Sequence, residues 1–138
     1  MRKLNSFSKI RIFIGGLIRG RRIGIRKSSS KLLSVGCGQS TNRDFINLDY
    51  SWSPGINICW DITKGKYPID ADYLDGIYTE HCLEHIPYSS FVANCAEFFR
   101  MLKSGGVLRI IMPDGELYLD IYHDKIEIIQ MSWVYMER

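Results

Sequence analysis

No window of the 138-residue chain holds the roughly 18 consecutive apolar residues that a bilayer-spanning helix needs, so an integral membrane protein is not expected. Cysteine pairs at metal-binding spacing are absent too: Cys37, Cys59, Cys82 and Cys95 lie far apart with no CxxC, which excludes a zinc ribbon. They sit in apolar or turn contexts, as expected of reduced thiols in a cytoplasmic protein. Acid is missing from the first 27 residues, which carry nine of the 18 Lys and Arg (Arg2, Lys3, Lys9, Arg11, Arg19, Arg21, Arg22, Arg26 and Lys27). All 15 Asp and Glu follow, so the net charge of +3 hides a basic arm on an acidic body. No small-residue cleavage site follows the apolar patch Ile12–Ile18, which argues against export.

What is present fits a single globular domain: 46% hydrophobic and 24% charged residues, enough to bury a core at this length. The chain divides into a basic amphipathic arm and linker, 1–30, ending at Ser28-Ser29-Ser30, and a domain over 31–138. In the arm, Phe7, Ile10, Phe13, Ile14 and Leu17 follow helical spacing, with cations on other faces. Such a segment packs on its own domain or lies on an anionic membrane, making residues 1–27 a candidate peripheral membrane contact. Nucleic acid is the weakest partner, because the body is acidic and lacks aromatic RNA-binding motifs.

Five apolar runs read as strands: Leu32–Val35, Phe45–Asp49, Ile56–Asp61, Gly76–Thr79 and Val107–Met112. Between the last two, Phe91, Val92, Cys95, Phe98, Phe99 and Leu102 form a helical stripe. Pro87 suits its first turn and Gly105-Gly106 its end, and a further helix is expected over 116–136. Strands alternating with helical segments predict an α/β fold, a Rossmann-like open and mainly parallel sheet with flanking helices. In such sheets ligands bind beyond the carboxyl ends of the strands. There lie Gly36-Cys37-Gly38, Asp49, Asp61, Glu80-His81 and Pro113-Asp114. The glycines permit a tight turn and close backbone approach, Asp49 offers acceptors to a ribose diol, and Asp61 to an exocyclic amine.

The ordered segments LLSVGCGQS, INLDY, CWDI, DGIYTEHCLEHI and FFRMLKSGGVLRIIMPD resemble those of class I S-adenosyl-L-methionine-dependent methyltransferases over roughly 31–120. They are most similar to small bacterial type 11-like enzymes associated with cell-surface polysaccharides. The resemblance implies that Gly36, Cys37 and Gly38 line the methionine part of the cofactor. By it, Asp49 would hold the ribose hydroxyls and Asp61 with Ile62 the adenine, and Tyr50 would also bind the cofactor. Thr79, Glu80 and His81 would border the methyl end; a hydroxyl of a small-molecule or glycan acceptor would need a base, with His81 the first candidate, Glu80 the second and Asp114 the third, and no metal is expected. It also implies a C-terminal β-hairpin, for which the chain is too short; truncation is expected, with a tail helix or a homodimer as other covers for an exposed fifth strand. An inactive cofactor-binding remnant acting by association is therefore the alternative. A nicotinamide enzyme is disfavoured, since the third glycine is Ser40 and no acid stands at the required spacing. HxxEH at His81–His85 also matches an inverted zinc-peptidase motif, but Pro87 leaves no room for the helix that motif needs.

Overall fold

A computed structural model describes residues 5–21 and 31–124. Its centre is a five-stranded sheet, wholly parallel, in the order β3-β2-β1-β4-β5. The strands are β1 (Leu32–Val35), β2 (Phe45–Asp49), β3 (Ile58–Cys59), β4 (Leu74–Glu80) and β5 (Leu102–Ile111). Around them lie helices α1 (Ser6–Leu17), α2 (Tyr88–Met101) and α3 (Gly115–Asp124). The predicted α/β open sheet is thus found, with every described strand parallel.

Strands covered on both faces read as unbroken apolar runs, and Leu33, Val35, Leu48, Ile58, Leu74 and Ile77 are each at most 3% exposed. α2 closes one side through Phe98 and Met101, both fully buried. Its stripe is rotated from the expected one: Val92 and Phe99 face water, and Asn94 enters the core instead. Asn94 is tolerated there because its amide donates to the carbonyls of Ile62 (2.8 Å) and Ser90 (2.7 Å) and accepts from the Tyr67 hydroxyl.

Several boundaries differ from expectation. β3 keeps two residues, and Asp61 caps a 3-10 turn, Ile62–Lys64, rather than ending a strand. Gly105-Gly106 do not close α2. The helix ends at Met101, and both glycines lie inside β5, where the register against β4 shifts between Leu74–Leu102 and Gly76–Val107. The tail helix spans Gly115–Asp124, capped by Asp114, whose carboxylate accepts from the Glu116 amide at 3.0 Å. The rest of the expected helix, and the Ser28–Ser30 linker, lie outside the described residues.

Ten positions separate Val35 from Phe45, and no helix fits between β1 and β2. Asn47, 3% exposed, organises this short link: its side chain accepts from the Asn42 amide (3.0 Å) and donates to the Asn42 (2.8 Å) and Gly55 (3.2 Å) carbonyls. The arm helix packs on the body. Arg11 Nε donates to the Trp52 carbonyl at 2.9 Å, and a Cβ at Gly15 would stand 2.9 Å from the Tyr50 carbonyl oxygen. No described helix is long and apolar enough to cross a membrane.

Candidate functional site

Sheet register assembles the site. Val35 pairs with Leu48 on one side and Thr79 on the other, so the residues just beyond them, Gly36, Asp49 and Glu80, end up side by side. This is where the strand order reverses, β1 leading to β2 and β3 one way and β4 to β5 the other. The Gly36-Cys37-Gly38 turn is anchored by amide donation from Gly36 (2.8 Å) and Cys37 (3.3 Å) to the Leu48 carbonyl.

Both glycines have positive φ, +70° and +59°, but their surroundings differ. A Cβ on Gly36 would fall 2.2 Å from Cys82 Sγ, so Gly36 is set by packing between β1 and the segment after β4. Around the Cβ direction of Gly38 nothing lies within 4 Å. Of the two, Gly38 has open space where a side chain would stand.

Asp49 draws the turn and the β2 exit together. Oδ2 accepts from the Gly38 amide at 2.9 Å, and Oδ1 from the Ser51 amide (2.9 Å) and hydroxyl (3.0 Å). Two thiols lie close by. Burial, then the Asp49 charge, pushes the Cys37 thiol up to about 12, and the same causes raise Cys82. Both shifts disfavour the thiolate, the form in which a cysteine is a nucleophile.

Asp61 stands apart from Asp49, at the turn after β3. Its Oδ1 accepts from the Thr63 amide (3.0 Å) and hydroxyl (2.7 Å), and Oδ2 lies 3.9 Å from Arg19. Burial works against its charged form, but the Thr63 hydrogen bonds, Arg19 and Lys64 outweigh it and hold the carboxyl below its ordinary range. Ile62 packs its side chain against the core cluster and gives its carbonyl to Asn94. Tyr50 is 48% exposed with the Arg19 guanidinium 4.1 Å above its ring. Arg19 thus touches two of the residues expected to bind the cofactor. No local motif signalled it, since its partners lie 31 and 42 positions downstream.

On the far side, Thr79 is buried and Glu80 is exposed, accepting from the Tyr78 hydroxyl at 2.5 Å. His81 sits at φ +46°, a strained value for a residue with a side chain, and its amide donates to the Ile111 carbonyl at 3.1 Å. Its Nδ1 is 3.5 Å from Glu84 Oε1, and His85 Nε2 is 3.8 Å from the same oxygen. Leu83 fills the core, and the His85 side chain is 75% exposed. The segment forms only a 3-10 turn, Leu83–His85, too short to aim two histidines at one metal. Among the described residues no three His, Cys, Asp or Glu gather in a metal-binding cluster.

The structure therefore brings Gly36, Cys37, Gly38, Asp49 and Thr79 into one cluster, with Tyr50 and Asp61 on the β2–β3 flank and Glu80 and His81 on the β4–β5 flank. Compared with protein-family models, curated proteins and solved structures, the chain matches none.

Proposed function

We propose that the chain binds S-adenosyl-L-methionine across the carboxyl ends of β1–β4 and transfers its methyl group to a hydroxyl of a small-molecule or glycan acceptor. One observation carries this reading: Gly38, with open space where a side chain would stand, is hydrogen-bonded directly to a carboxylate, Asp49, at the point where the strand order reverses. A nucleoside with a charged amino-acid tail needs that combination, a close approach for the tail and acceptors for a vicinal diol.

The residues present fit the group. Asp49 Oδ2 spends one of its two acceptor positions on Gly38, leaving room for a ribose hydroxyl. Asp61 Oδ2 is met only loosely, by Arg19 at 3.9 Å, so an exocyclic amine can reach it. When bound, the cofactor supplies a methyl already activated by the positive sulfur. The chain's task is then alignment, which by itself can supply several kcal/mol of barrier reduction. An acceptor hydroxyl brought to that methyl would need a base for its proton, and the His81 ring would take it. Glu84, 3.5 Å from Nδ1, orients that ring and offsets the positive charge it gains.

A second reading, an association module that holds no cofactor, is favoured by Arg19 lying over Tyr50 and beside Asp61. Calorimetric titration with S-adenosylhomocysteine separates the two. Binding near micromolar, weakened about tenfold or more in Asp49→Asn, supports the methyltransferase reading, since one good charged hydrogen bond is worth about 1.5–3 kcal/mol. Asparagine is the better control than alanine because its one amide oxygen can still accept from the Gly38 or the Ser51 amide, though not from both. His81→Ala should leave this binding unchanged. A folded protein that takes up none of the ligand sinks the proposal.

A further inference from the structure

One face of α1 meets no partner among the described residues. Phe7, Ile10, Phe13 and Leu17 recur at three- and four-residue spacing and are 67%, 55%, 67% and 64% exposed. The opposite face is committed: Arg11 exchanges hydrogen bonds with Trp52 (2.9 and 3.1 Å), and Gly15 abuts the backbone of Tyr50 and Trp52. The helix cannot roll to bury the stripe without breaking those contacts.

We propose that this stripe docks α1 on an anionic membrane surface, lying in the interface with its apolar face among the acyl chains. Charge decides the occupant. Every ionisable side chain in residues 1–27 is basic, and Lys9 and Arg21 are exposed on the described part. An anionic lipid surface offers an apolar layer and a negative one at the depth where such a helix places its two kinds of side chain. A second copy meeting through the same face would bring two cationic arms rim to rim, which like-charge repulsion opposes. Twelve residues span only about 18 Å, too short to cross a bilayer, so the helix lies along the surface. Since the stripe and the Trp52 contacts occupy opposite faces of one helix, docking holds the ends of β2 and β3 about 10 Å from the lipid.

The test is flotation of the full chain with phosphatidylcholine vesicles, with and without phosphatidylglycerol, at low salt and without any cofactor. Its outcome is therefore independent of the methyl-transfer reading. The expected result is partition onto the phosphatidylglycerol vesicles and little onto the neutral ones. Phe7→Ser with Phe13→Ser should lower that partition at least ~10-fold, because each ring returns its buried area to water. Lys9→Glu with Arg21→Glu should lower it by about 10-fold through charge alone. All four side chains are exposed, so circular dichroism should show an unchanged fold. Equal partition of the wild type and the Phe variant, or indifference to lipid charge, overturns the proposal. Sedimentation velocity showing a dimer that the Phe variant abolishes would give the face to a second copy and overturn it as well.

Discussion

At the scale of single residues, Gly36 and Gly38 differ in what surrounds them. Both sit at φ values that cost a side chain about 1–2 kcal/mol. In Gly36→Ala the new methyl would also meet Cys82 Sγ at 2.2 Å and its Cβ at 2.7 Å. Overpacking of that kind adds about 1–3 kcal/mol, so the total loss should be about 2–5 kcal/mol. In Gly38→Ala no neighbour stands within 4 Å, so the loss should stay near the backbone cost alone. Urea unfolding of both variants checks the difference; equal losses would mean that Cys82 moves aside freely. Only the Gly-x-Gly pattern was legible in the sequence. Which glycine touches a thiol and which faces open space depends on where the chain returns after β4, and no local pattern encodes that.

The elements were legible in proportion to how local their causes are. β1, β2 and β4 announce themselves as apolar runs because both faces of a parallel strand are covered. α2 shows its period, but its end was misplaced: Leu102 continues the helical stripe in sequence, yet its backbone pairs opposite Leu74 in the sheet. Tertiary pairing outweighed local pattern there. In the arm, Gly15 lies against the backbone of Tyr50 and Trp52, a contact that its place in an apolar patch does not announce.

α2 also fastens the segment before β4. Glu97 Oε2 accepts from the Tyr67 amide at 2.8 Å, and Arg100 bridges Glu97 (2.8 Å) to the Ile69 carbonyl (2.9 Å). The Arg100 hydrogen bond outweighs burial and, with the Tyr67 amide, holds the Glu97 carboxyl below its ordinary range. Because the folded value is depressed, this stabilisation is complete above the unfolded value near pH 4.3 and drains away as the pH falls through the folded one. Glu97→Gln should therefore melt lower than wild type at neutral pH, with the gap closing in acid. Thermal melts across the acid range measure it, and a gap independent of pH would deny the carboxylate this role.

At the scale of the whole molecule, the separation of charge along the chain and the docking of α1 meet at Arg19. A basic arm on an acidic body was plain from composition, but not that one of its cations would reach Tyr50 and Asp61, two of the residues proposed to bind the cofactor. Arg19 stacks over Tyr50 at 4.1 Å and stands 3.9 Å from Asp61, while the neighbouring Gly20 amide donates to the Cys59 carbonyl at 2.9 Å. The backbone hydrogen bond keeps the arm in place whatever the side chain does, so Arg19 can swing away without undocking α1. A nucleoside at Asp61 must share that carboxylate with the guanidinium or displace it. A partly exposed cation–π contact and a loose ion pair are each worth at most about 1 kcal/mol, so displacement is affordable but measurable. Arg19→Ala should tighten S-adenosylhomocysteine binding about three- to tenfold, read by the same calorimetry, with the fold unchanged by circular dichroism. Weaker binding in this variant would instead make Arg19 a ligand-holding residue that packs over the base from the arm. If binding does tighten, linkage requires that ligand loosen Arg19's hold in turn, so the docked arm and the filled site would each register the state of the other.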